Sequence, residues 1–160
     1  MDVHSGAMIV ERPATLADLH RAQYAPMVRL AALLLGSREQ AEDVVQDCFV
    51  RVYPRFEELR EPVPYLRTAV VNACRSAGRR QARARKVAAT HIADLVSDLG
   101  AREMLDALDS LSSRQRTAIV LRFYEDMSEE EMASALGCRP GTVKSLVHRG
   151  LAHLREVLGE

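Results

Sequence analysis

At 160 residues the chain suffices for one domain of ordinary size or two small ones. Its 22 Lys and Arg residues balance 22 Asp and Glu residues, so no global field pulls it onto nucleic acid or a membrane. Hydrophobic residues at 48% can fill a core, while aromatic content of 4% without Trp speaks for short helices and against sheets.

In chain order, residues 1–15 read as an N-terminal tail. Met1–Val10 lacks the basic start and apolar stretch of a secretory signal, so a cytoplasmic protein is expected. Thr15-Leu16-Ala17-Asp18 opens a first helix over Leu16 to Leu35, which ends at Gly36, where a left-handed residue is wanted, and kinks near Pro26. Its apolar run, Leu30 to Leu35, falls far short of the ~20 residues of a membrane span. Ser37-Arg38-Glu39-Gln40 is a capping box for a second helix, Arg38 to Tyr53. There Ala41, Val44, Val45, Cys48, Phe49 and Val52 form one apolar face, and Glu39, Asp43, Gln46, Asp47 and Val50 the other. Pro54 ends it, and Pro62 and Pro64 precede a third helix, Val63 to Lys86. That helix carries an apolar stripe of Leu66, Ala69, Val70, Ala73 and Cys74, with Asn72, Arg75, Arg79 and Arg83 on another side.

The neutral total conceals a partition of charge. Residues 1–61 are net −3; residues 62–93 hold seven basic side chains (Arg67, Arg75, Arg79, Arg80, Arg83, Arg85, Lys86) and no acid. Residues 94–111 are net −4, and residues 112–160 are neutral. A localised polyanion contact and a solvated basic helix end both answer to this pattern.

Residues 87–102 lose helical periodicity and read as a linker. Short helices follow at 103–111, 113–125, 128–136 and 140–158, the middle two opened by the boxes Ser112-to-Gln115 and Ser128-to-Glu131. No stretch alternates with a strand's period. The expected fold is all-α: two small helical domains on a flexible tether rather than one bundle. After Ser128–Leu136, Gly137-Cys138-Arg139 makes a tight turn and Pro140 enters the first turn of the last helix. This is the order of a DNA-reading helix-turn-helix, although a structural helical hairpin needs no more. Val143, Val147, Leu151, Leu154 and Leu158 face inward, leaving Thr142, Lys144, Ser145, His148 and Arg149 outside, near the end that meets base edges and phosphates.

Cys48, Cys74 and Cys138 are odd in number and widely spaced, so they read as small buried hydrophobes. His148 and His153, five apart, do not share a helical face, and neither a metal nor another cofactor is expected. No nucleophile–base arrangement or phosphate-cradling glycine loop is recognisable, so the chain does not read as an enzyme.

Glu42-Asp43-Val44-Val45-Gln46-Asp47-Cys48-Phe49 resembles a run in region 2 of bacterial sigma-70 superfamily factors. Tyr65-Leu66-Arg67-Thr68-Ala69-Val70-Val71-Asn72, followed by Arg79 and Arg80, resembles the promoter-melting helix of that region. Leu108 to Leu121 and Gly137 to Arg149 resemble region 4. Without room for regions 1.1 or 3, the resemblance is to the small extracytoplasmic-function group, and the Tyr65–Asn72 variant looks actinobacterial.

The resemblance implies region 2 over 16–86, a linker over 87–102 and region 4 over 103–160. It implies a factor that binds core RNA polymerase (β and β′ subunits) and directs initiation at promoter DNA. Asp43, Gln46 and Asp47 would meet the β′ clamp coiled coil. The loop Arg55 to Val63, with Phe56 and Leu59, would hold a base extruded from the −10 element, and Asn72, Arg75, Arg79 and Arg80 would grip that strand. Lys144, Ser145 and Arg149, with Thr142 and His148 beside them, would read the −35 element, and Arg139 would take a phosphate. An anti-sigma factor that hides both domains is a further implied partner. The tether suffices: ~20 extended residues reach about 65 Å, against roughly 50 Å between the elements.

Four features depart from the family pattern. Val71 stands where Arg is usual, Tyr65 replaces Trp, Leu146 stands where Arg is frequent, and Leu151, Ala152 and His153 replace a basic tail. These departures weaken phosphate affinity; Leu146 serves either a partner surface or a tighter core. The runner-up reading is a helix-turn-helix regulator that works without polymerase, which needs a dimer surface that no heptad or long apolar stripe supplies. An anti-sigma-type adaptor leaves the basic segment idle.

Overall fold

The computed structural model describes residues 11–81 and 99–159. The expected tail 1–15 is described only from residue 11, and the expected linker only from residue 99. The elements are α1 (Leu16–Leu35), α2 (Arg38–Val52), a 3-10 helix (Tyr53–Glu58), α3 (Pro62–Gln81), α4 (Leu99–Asp109) and α5 (Ser113–Ile119). A π-helical segment (Val120–Tyr124), α6 (Glu129–Leu136) and α7 (Pro140–Leu158) complete them. Among the described residues there is no strand, and no helix is long and apolar enough to cross a membrane.

Capping chemistry sets most boundaries. Thr15 accepts from the Asp18 amide and Ser37 from the Gln40 amide. Ser112 with Gln115 and Ser128 with Glu131 close reciprocal boxes, whereas Ser37 makes only its own half. Gly36 (φ 75°) and Gly137 (φ 62°) end α1 and α6 in the left-handed conformation, for which glycine pays no Cβ penalty. Pro26 lies within α1 without ending it.

Two boundaries differ from expectation. Helix α4 already includes Leu99, the first described residue of this half, and carries Gly100 within it, so the residues 99–102 assigned to the linker are helical. The helix expected over 113–125 widens into a π turn at Val120. There the Glu125 amide bonds Val120 O at 3.2 Å, and Arg122 Nη1 holds Met127 O at 3.1 Å.

Helices α1–α3 pack around Leu19, Leu30, Val45, Val52, Leu66 and Val70, all at 0% exposure. Each such side chain contributes about 1.5–3 kcal/mol. Val71 is also fully buried, so the position where the family usually carries Arg is here a core position. Cys48 and Cys74 lie in the same core, their thiols pushed up to about 11 and about 12 by burial, which holds them protonated.

The second half does not merely trail on a tether. Ala118, Leu121, Met132, Leu136 and Val143 join the apolar cluster of α1–α3, while Ala107, Leu108, Leu111, Ile119 and Leu154 form a smaller one. Helices α5 and α7 approach closely at Gly150, where a Cβ would stand 2.8 Å from Ile119 Cγ1. Gly150→Val forces this contact apart and should cost about 2 kcal/mol. The expected fall in melting temperature is about 4–8 °C, measurable by calorimetry.

Candidate nucleic-acid interface

The outer face of α2 is open. Asp43, Gln46 and Asp47 are all exposed there, and the stripe continues through Val50 (71% exposed) and Tyr53 (69% exposed). Their spacing keeps Glu39, Asp43, Gln46, Val50 and Tyr53 on one side of the helix, opposite the buried Ala41, Val45, Cys48, Phe49 and Val52. An acidic rim around two uncovered apolar side chains suits a partner that offers basic and apolar groups together. Tyr53 escaped the sequence reading because Pro54 marks it as a helix end rather than a face.

Between α2 and α3 runs a groove of about 710 Å³ lined by Asp47, Arg51, Tyr65, Asn72 and Ser76, among others. Asn72 is exposed on its wall. Tyr65, at the position of the family's Trp, sits at its edge with its hydroxyl accepting from Arg55 Nη1 at 2.9 Å. Phe56 and Leu59 are placed differently: Phe56 is only 3% exposed, with the Arg12 guanidinium 4.7 Å above its ring, and Leu59 is half-buried. Arg79 and Arg80 fall on the last turn of α3.

Arg75 faces the other half of the molecule, where its Nη1 donates to Leu136 O at 3.2 Å, at the C-terminal end of α6. A mirror-image contact comes from α5. Arg116, 4% exposed, donates through Nε to Leu33 O at 2.6 Å, in the last turn of α1, and pairs with Asp109. Each half thus supplies a cation to the carbonyl end of a helix in the other, the end that carries partial negative charge. Arg67 adds an ion pair with Glu125 at 2.9 Å. Leu146 packs against the main core and lines a cavity of about 370 Å³ beside Arg75, Leu136 and Cys138, so it serves the contact between halves.

On α7, Val143 and Leu154 are buried and Val147, Leu151 and Leu158 half-buried, as the periodicity requires. Arg139 is the exposed N-cap, Pro140 follows at the first helical position, and Thr142 is half-buried. Lys144, Ser145, His148 and Arg149 are exposed along one side. Lys144 Nζ lies 3.7 Å from Glu129, an exposed pair worth little in water and readily exchanged for a phosphate.

Two family models match: Sigma-70 region 2 over residues 19–84 and Sigma-70, region 4 over residues 101–154. The RNA polymerase sigma-E factor of Streptomyces avermitilis is 36% identical, covering 82% of this chain and 78% of its own length. The extracytoplasmic-function factor SigL of Mycobacterium tuberculosis is 31% identical, covering 98% and 95%. The chain is a sigma factor of the extracytoplasmic-function group.

Among solved structures, the sigma factor RpoE of Bartonella quintana, in complex with the anti-sigma factor NepR, is 26% identical with a TM-score of 0.70. The match covers 89% of this chain and 97% of that one. CnrH, in complex with the cytosolic domain of CnrY, shares the fold at 24% identity and a TM-score of 0.66, covering 90% and 87%. In this sigma factor the α2 face and the α2–α3 groove belong to region 2, and the turn and face of α7 to region 4.

Proposed function

We propose that this sigma factor docks on core RNA polymerase through the α2 face and then reads two promoter elements, region 4 the −35 and region 2 the −10. Asp43, Gln46 and Asp47 contact the polymerase, with Val50 and Tyr53 completing the patch. The segment Arg55–Val63, from the end of the 3-10 helix to the start of α3 and with Phe56 and Leu59 packed beneath it, holds an extruded base, while Asn72, Arg75, Arg79 and Arg80 grip the strand. Lys144, Ser145, His148 and Arg149 face the major groove, with Thr142 beside them and Arg139 at a phosphate. It acts in the cytoplasm without a chemical step of its own, since polymerisation belongs to the polymerase, and an anti-sigma factor is a natural regulator.

One observation carries this reading: a single chain joins a region 2 with an open acidic and apolar helix face to a region 4 with an open polar recognition helix. The halves must separate on the promoter. Elements roughly 50 Å apart cannot both be met while α3 and α6 touch, and Arg75 reaches DNA only after leaving Leu136 O.

Replacing Lys144 and Arg149 with alanine tests the region 4 assignment. Affinity of its complex with core polymerase for −35-containing duplex is expected to fall about 10- to 100-fold, and the salt dependence to flatten, as two cationic contacts are lost. Retention by core polymerase stays unchanged. An equal loss of both properties would mean damage to the fold, and unchanged duplex affinity would remove these side chains from the interface.

A further inference from the structure

The loop that region 2 offers to an extruded base is fastened from a distance. Arg12, 47 residues upstream of Leu59, donates from Nε to Leu59 O at 3.0 Å. It donates from Nη2 to Phe56 O at 2.8 Å, 44 residues away, and from Nη1 to Pro13 O at 3.2 Å. Its guanidinium carbon lies 4.7 Å above the centroid of Phe56, itself 3% exposed. One planar cation therefore packs on the buried Phe56 ring and caps the carbonyls at the end of the 3-10 helix, where partial negative charge collects.

We propose that Arg12 is a positioning residue for −10 recognition: it holds the Phe56–Leu59 turn in the shape that receives the extruded base. The inference rests on the base-holding reading of that loop given above. Only three residues, Leu59 to Glu61, join the 3-10 helix to α3. Leu59 is extended (φ −82°, ψ 124°), and its amide bonds back to Phe56 O at 3.2 Å. Phe56 O thus accepts from Leu59 and from Arg12 together, so the bend of the turn and its link to the N-terminal segment share one oxygen. Base extrusion is repaid only by pocket contacts, and a turn that must be ordered at that moment recovers less of the cost. Lysine could supply charge but neither the in-plane donor pair nor the stacked face.

The test uses the full chain with core polymerase and a template pool randomised across the −10 element, comparing wild type, Arg12→Ala and Arg12→Lys. The readout is base selectivity at the position that the wild type discriminates most. Arg12→Ala is expected to reduce that selectivity about tenfold, the scale of one charge-assisted hydrogen bond. Arg12→Lys restores a minor part, and retention by core polymerase is unchanged in both. A uniform fall on all templates with selectivity intact would give Arg12 a merely structural role and overturn the proposal. Full selectivity in Arg12→Ala would overturn it too. A wild-type chain without −10 selectivity would sink the loop assignment itself and the proposal with it, an outcome visible before any variant is made.

Discussion

Replacing Gln46 and Asp47 together with alanine should lower affinity for core RNA polymerase about 10- to 100-fold, the range expected when two central contacts of an interface are truncated. Both side chains are exposed, and the face of α2 that packs in the core consists of other residues, Ala41, Val45, Cys48, Phe49 and Val52. Alanine is also the strongest helix former, so α2 itself should not loosen. Asp47 is one of three carboxylates, with Glu39 and Asp43, along the open face. Removing it weakens steering toward a basic partner, and the loss should shrink at high salt. Binding measured by surface plasmon resonance at two salt concentrations reads both effects. Unchanged affinity in a variant with wild-type melting would move the polymerase contact elsewhere on the chain.

Arg116→Ala should cost about 3 kcal/mol, because it removes a buried cation bonded to a main-chain carbonyl of the other half. The guanidinium links the ends of α1 and α4 to α5, and its loss leaves Leu33 O without that donor and opens space beside Gly36. At roughly 2–4 °C per kcal/mol, the melting temperature should fall by about 6–12 °C. Asp109 is 46% exposed and an asparagine in its place still accepts from the guanidinium, so Asp109→Asn should cost clearly less than Arg116→Ala. The contrast decides whether Arg116 acts through the carbonyl of α1 or through the carboxylate. Equal losses in the two variants would assign the stability to the ion pair and contradict the helix-end account.

Much of this fold is legible from local chemistry. The bounds of α1 and α7 follow from a hydroxyl or proline at one end, a glycine or last apolar residue at the other, and a continuous apolar stripe between. The open faces of α2 and α7 are legible for the same reason: period 3.6 separates buried from wet positions without knowledge of the neighbours. What escapes is whatever depends on a distant partner. Arg67, Arg75 and Arg116 look like surface cations, yet each answers a group 58, 61 or 83 residues away in the other half. Charge sign alone cannot reveal which helix end a guanidinium will cap. Phe56 and Leu59 stand in a proline-rich stretch that fits an open loop equally well, and the presence of Arg12 over the ring has no local signature. The π turn after Ile119 is similarly silent, since Val120–Tyr124 carries no glycine or proline to announce a change of helix. Leu146 and Val71, odd against the family pattern, become ordinary once the contact between halves and the core are visible.

The most direct test of the whole account is run-off transcription on genomic fragments with purified core polymerase, with and without this chain. Discrete transcripts that require both proteins are expected, with no protected site on the same fragments when the chain is alone. A folded chain that protects specific sites unaided and never yields a transcript with core polymerase would contradict it.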